Sequence, residues 1–242
     1  EPIDGRLQHG WVALGAGVPI GDYYDKLGCK FLIWSEKFTN GFLAAEIKPI
    51  DPSRITVVGS PILYVDIPKK DPTKGTLAVP SHSIRDVHIP ELEWKNYCKF
   101  VKEYDSKATI LIHPTDVKLG YGKIAQDYSL ETVTAGHMRS FNFLPNLINI
   151  ILDHTNLISS CLQTICFYAL YLNKHVQIIG QPTRTNYLDF VYDPLVSNRD
   201  WLKDNYPKFL AGTSDRSTLN IELGIKKSTD FIKSTMFPHA GL

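Results

Sequence analysis

Asn156-Leu-Ile-Ser-Ser160 runs straight into Cys161-Leu-Gln-Thr-Ile-Cys-Phe-Tyr-Ala-Leu-Tyr-Leu172 and then into Lys174-His-Val-Gln-Ile-Ile-Gly180. This order predicts a strand, a hydroxyl-rich turn, a helix and a second strand. Leu162, Ile165, Cys166, Ala169 and Leu170 recur at the i, i+3, i+4, i+7, i+8 spacing of one buried helical face, and Val176, Ile178 and Ile179 form a short β-rich run. Ser160 suits an N-cap, and with Gln163 three residues on it carries a capping-box signature, so the first backbone N–H groups of the helix should open at the carboxyl end of a strand. Two uses fit such a place. One is an ordinary helix cap; the other is a phosphate site in which Ser159, Ser160 and Thr164 act with the helix N–H groups and dipole.

Further apolar runs lie to either side: Phe31-Leu-Ile-Trp34, Ile55-Thr-Val-Val58, Thr76-Leu-Ala-Val79 and Thr109-Ile-Leu-Ile112. Each fits a strand covered on both faces. Between them, Pro90 to Tyr104 reads as a helix with Pro90 at its first position and Leu92, Tyr97, Phe100, Val101 and Tyr104 on one face, and Phe143 to Leu152 reads as another. Strands alternating with helices imply an α/β fold with a doubly wound, mostly parallel sheet, whose ligands bind at the carboxyl ends of the strands. Val65-Asp-Ile-Pro-Lys-Lys-Asp-Pro-Thr-Lys-Gly75 interrupts the apolar pattern and sets an expected boundary between an N-terminal portion, 1–65, and a Rossmann-like domain, 66–242. A short helix is expected around Ser217 to Leu223, ending at Gly224, and another from Thr229 to Met236.

Composition narrows the partners. Of 242 residues, 43% are hydrophobic and 21% charged, with a formal charge of +1, which lacks the basic excess of a general nucleic-acid binder. Cys29, Cys98, Cys161 and Cys166 form no CxxC pair and read as reduced, mostly buried thiols. No run reaches the roughly 18 uninterrupted apolar residues of a membrane span, and the first residues lack the basic and apolar regions of a signal peptide. The expectation is a cytoplasmic protein.

Several polar residues end strands. His113-Pro114 closes the 109–112 run, with Pro114 turning the chain; His113 there either serves a ligand or ties down a loop. Pro80-Ser81-His82-Ser83 closes the 76–79 run, where ligand contact and ordinary turn chemistry both fit. His9, in a stretch followed by Gly10, Gly15, Gly17 and Gly21, is a candidate base or a turn histidine. These glycines form no GxGxxG before a helix, and no GxxxxGK[ST], HExxH, paired-Cys zinc pattern or GxSxG occurs. With no Asp-x-Asp pair to clamp a divalent ion on a sugar nucleotide, a metal-independent mechanism is expected.

Taken together, these pieces resemble the nucleotide-binding half of GT-B glycosyltransferases. His113-Pro114 and the later Ser159-Ser160 are similar to the HP and SS motifs of bacterial transferases that use CMP-activated sialic acid or Kdo. The same order, with His9-Gly10 ahead of it, also looks like that of CDP-glycerol glycerophosphotransferases. Ala169-Leu-Tyr-Leu-Asn-Lys-His-Val176 resembles the "AlxlgKPV" run of GT-B folds, with His175 where the family usually has proline. The resemblance spans about residues 7 to 180. It implies a glycosyltransferase that takes a nucleotide sugar as co-substrate, with no other cofactor, and a glycan or glycolipid acceptor for surface polysaccharide or glycan synthesis, with peripheral membrane association in reach; the alternatives are a CDP-polyol phosphotransferase and a non-catalytic nucleotide-sugar-binding subunit or fragment. His113 and His9 would be catalytic, and Ser81, His82, Ser83, His113, Pro114, Ser159, Ser160 and Thr164 would surround the phosphate. The chain departs from the pattern in lacking the acidic D/E-D/E-G motif that supplies the base in several sialyltransferase families, and the N-terminal 65 residues hold about two strands, so the acceptor domain is either reduced or upstream.

Overall fold

The computed structural model describes residues 5–7, 30–37, 51–83, 88–180, 198–226 and 228. The chain divides into two compact units, residues 1–65 with 216–242 and residues 66–215. In the first, β1 (Gly5–Leu7), β2 (Lys30–Ile33) and β3 (Ile55–Val57) form a parallel sheet in that order, with Phe31 opposite Ile55 and Ile33 opposite Val57. Phe31, Ile33 and Trp34 are buried, whereas β3 is only half covered, short of the two-sided burial its apolar residues predict.

The second unit carries β4 (Lys74–Val79), β5 (Thr109–Leu111), β6 (Glu131–Val133), β7 (His154–Ser159) and β8 (His175–Ile178) in the spatial order β6-β5-β4-β7-β8, every pair parallel. The crossovers are α1 (Glu91–Tyr104), α2 (Pro114–Lys118) with α3 (Tyr121–Asp127), α4 (Phe143–Asp153) and α5 (Thr164–Tyr171). Counting strands from β4, the order is 3-2-1-4-5, the Rossmann arrangement, and the winding reverses between β4 and β7. The fold is therefore an α/β, Rossmann-type doubly wound parallel sheet. Leu77 faces Leu157 and Val79 faces Ser159, so the polar turns after β4 and β7 leave the sheet side by side.

Packing explains where the helices differ from their sequence expectations. In α1 the covered face is Trp94, Tyr97, Cys98 and Val101; Leu92 is 67% exposed and Tyr104 is also exposed. Trp94 fixes that rotation by stacking on Tyr121 at 5.1 Å and donating its indole N–H to Tyr121 O at 3.0 Å. These side chains close over Ala78, Ile110 and Ile158 on one side of the sheet. Helix α5 is covered on all sides, not on one, because Phe167 is met edge-on by Tyr206 and Phe209, the latter from α7 (Pro207–Ala211), which follows α6 (Arg199–Asn205). The helix also begins later than the sequence suggests. Gln163 is its N-cap residue and makes no side-chain cap bond, and Ser160 to Leu162 form an irregular buried turn.

In the first unit, α8 (Leu219–Leu223) ends at Gly224 in the left-handed conformation, φ 67°. Leu223 O accepts from Ser60 N at 2.8 Å, and Glu222 pairs with Lys37 at 2.9 Å. The helix expected from Thr229 to Met236 lies outside the described residues, as does Cys29.

Candidate functional site

The carboxyl ends of β4, β5, β6 and β7 bring together residues far apart in sequence. After β5, His113 is the N-cap of α2 and its Nδ1 accepts from Thr115 N at 3.2 Å, with Pro114 at the first helical position. A ring whose Nδ1 accepts carries its proton on Nε2. After β4, His82 stacks on His113 with ring centroids 4.3 Å apart and planes 19° from parallel. His82 Nδ1 lies 3.1 Å from Ser83 O; a carbonyl accepts only, so Nδ1 donates. His113 thus carries an Nε2–H donor.

Electrostatics keep His113 neutral. Burial, followed by the proximity of His82 and of His137 beyond β6, lowers its pKa to about 4. At neutral pH it is a hydrogen-bond donor without charge.

Around the β4–β7 switch point the two serines of the 159–160 turn do different things. Ser159 is buried, shares its proton between Val79 O at 3.0 Å and Cys161 O at 2.7 Å, and accepts from Gln163 Nε2 at 2.8 Å. Its hydroxyl is spent joining the ends of two strands. Ser160 Oγ is buried and, among the described residues, has no hydrogen-bond partner beyond its approach to the Cys161 thiol. Ser81 Oγ lies 3.4 Å from Cys161 Sγ. The Cys161 thiol is pushed up by burial and pulled partly back by Ser81, Ser160, Ser159 and the nearby Arg199 guanidinium. Thr164 opens α5 half-buried. Ser83 faces inward, with its N–H aimed at Asp116 and its Oγ accepting from Ile89 N at 3.0 Å. His9 lies outside the described residues.

The comparisons with known proteins are sparse. No family model and no curated protein matches the chain. Among solved structures it is similar to a mutant of TarM from S. aureus, crystallised in complex with fondaparinux, alpha-GlcNAc-glycerol and UDP, at 14% identity and a TM-score of 0.40. The match covers 94% of this chain and 47% of that one, so the chain spans about half the length of that protein. A likeness at that score leaves the fold to rest on the strand order itself.

Four residues at this crevice escape sequence reasoning. Asp116 is fully buried in the first turn of α2, where an acidic residue looks like ordinary dipole compensation. Gln163, which fits a capping box, instead reaches across to Ser159 Oγ and, at 3.4 Å, Pro80 O. Arg199 comes from a helix with no motif and donates to Ile178 O at 3.1 Å and to Gly180 O. His137 follows an edge strand of three residues. Among the described residues, no group of three His, Cys, Asp or Glu side chains is placed to hold a metal ion, and no helix is long and apolar enough to cross a membrane.

Proposed function

We propose that residues 66–215 bind the nucleotide of an activated sugar and that the protein is a GT-B-type glycosyltransferase, with a CMP-sugar as the favoured donor and a glycan or glycolipid as acceptor. The observation that carries this reading is the stacked His82–His113 pair beside the Ser159-Ser160 turn at the switch point of a 3-2-1-4-5 sheet. Sheets of this winding bind ligands in that crevice.

The chemistry follows from the tautomers. An acceptor hydroxyl attacks the anomeric carbon, the bond from that carbon to the phosphate oxygen breaks, and the electron pair stays on the phosphate. His113 Nε2–H, Ser160 Oγ–H and the first N–H groups of α5 would meet that growing charge as fixed donors, which requires no divalent ion. The proton of the acceptor hydroxyl would pass to His9 or to His82. A phosphotransferase acting on a CDP-polyol would use the same groups and leave a phosphodiester in the product instead of a glycosidic bond.

The test is a thermal-shift panel of CMP, CDP, UDP, GDP and ADP, since a ligand that binds only the folded state raises Tm by mass action. One nucleotide should stabilise the protein, with EDTA making no difference, and His113→Ala and Ser160→Ala should each weaken that nucleotide by about tenfold or more, as for lost hydrogen bonds to a charged group. A flat panel, or variants that bind every nucleotide as the parent does, would sink the assignment.

A further inference from the structure

Asp116 is 0% exposed, yet it is an acid, and among the described residues Ser83 supplies its hydrogen bonds: Ser83 N lies 3.2 Å from Oδ1 and 3.3 Å from Oδ2, and the Ser83 side chain adds to them. Burying a carboxyl group is unfavourable unless its oxygens are satisfied, and an apolar side chain would fill the same space at less cost. What the acid supplies instead is a link. Asp116 sits in the first turn of α2, the helix capped by His113, and Ser83 directly follows His82. The far side of the same loop is held by Ile89 N donating to Ser83 Oγ. Burial raises the pKa of the Asp116 carboxyl, and the Ser83 side chain and amide, followed by the proximity of His82 and His88, oppose that rise.

We infer that Asp116 is a positioning residue: by accepting from the Ser83 amide it clamps the turn after β4 to the helix after β5 and so keeps His82 stacked on His113 as one phosphate-facing unit. The inference rests on the nucleotide-site reading above. Asp116 touches neither ring's function directly; it sets the distance between the two segments that carry them.

A double-mutant cycle measured by calorimetry, with whichever of CMP, CDP, UDP, GDP and ADP the parent binds, separates this from a packing role. Asp116→Leu, which keeps the bulk and removes the acceptor, should raise Kd about tenfold, and Asp116→Asn, which keeps an oxygen, less than about threefold. His82→Ala should cost about as much as Asp116→Leu, and the pair together no more than about twice either alone, because both act through the same ring. Penalties that multiply, or an Asp116→Leu protein that binds as the parent does, overturn the clamp. If Asp116→Leu does not fold, the ring-proton NMR shifts of His82 and His113 in Asp116→Ala decide it: they should lose the mutual ring-current displacement, and unchanged shifts overturn the inference. A parent that binds none of the five nucleotides overturns the nucleotide reading and this inference with it, an outcome distinct from a binding parent with an indifferent variant.

Discussion

At the scale of single residues, His113 has two separable tasks. Its Nδ1 caps α2, and its Nε2–H is the donor that the nucleotide reading assigns to the phosphate. Asparagine is as good an N-cap but does not titrate, so His113→Asn isolates the second task. The pH dependence has a definite sign. The folded pKa, about 4, lies below the ordinary 6.5, so between those values the unfolded chain binds a proton that the folded chain refuses. Stability is therefore complete above about pH 6.5, falls as pH drops towards 4, and levels off below. At 1.4 kcal/mol per unit, discounted for a ring that is half open to solvent, the loss is at most about 2 kcal/mol. Urea midpoints at pH 7.5 and 4.5 should show it in the parent and a shallower fall in His113→Asn, with a residual slope from His154, whose pKa burial also lowers. An equal fall in both proteins would remove His113 from the account. The carboxyl groups held below their ordinary range, Asp51, Asp105 and Glu131, begin to lose their own contribution as pH falls through the unfolded values of 3.8, 3.8 and 4.5, so they add a fall at the lower end of this window that is common to both proteins.

At the scale of elements, what was legible depended on whether the signal was local. Strands β4, β5, β7 and β8 stand where their apolar runs predict, because those runs are buried against the helices, although in β8 the face of His175 and Gln177 is left open, short of two-sided cover. His113-Pro114 sits at the end of its strand for an equally local reason, the proline that cannot continue the ladder. The start of α5 was not legible. Ser160 and Gln163 match a capping box, but Gln163 is drawn across the sheet by Ser159 Oγ and Pro80 O, partners that no spacing along the chain reveals. Asp116 was hidden the same way, since its partner is 33 positions back. Gly180, two residues past the end of β8, shows how such tertiary demands can be tested. Its φ is 83°, and a Cβ there would lie 2.8 Å from the Phe100 ring. Gly180→Ala should cost about 1–3 kcal/mol, from backbone strain and the ring contact together, read as a lower urea midpoint. Adding Phe100→Leu should return part of that loss; if it returns none, the strain lies wholly in the backbone.

At the scale of the whole molecule, the second chain segment of the first unit is where the two ends of the sequence depend on each other. Nothing in residues 216–228 read alone says which sheet they join, because Leu219 and Leu223 would suit any apolar surface. In the structure Leu223 O takes the Ser60 amide, Lys37 reaches the nearly buried Glu222 carboxylate, and Gly224 passes so close to Trp34 that an added Cβ would sit 1.9 Å from its carbonyl oxygen. That oxygen belongs to the backbone directly after β2 and cannot swing aside as a side chain can. Gly224 also holds φ 67°, so alanine there meets both a clash and an unfavourable conformation. Gly224→Ala should therefore cost more than about 3 kcal/mol in the first unit, the range of severe steric and backbone substitutions. The damage should be local, because the hydrogen bonds that pair β4, β5 and β7 lie wholly within residues 66–215. Hydrogen exchange followed by mass spectrometry reads this directly: amides of Phe31 to Ile33 and Ser60 should lose protection, while those of Leu77 to Val79 and Leu157 to Ser159 keep it. Equal loss in both sets would mean that the two units unfold as one cooperative structure, and nucleotide affinity at the β4–β7 crevice would then fall with the same substitution instead of standing unchanged.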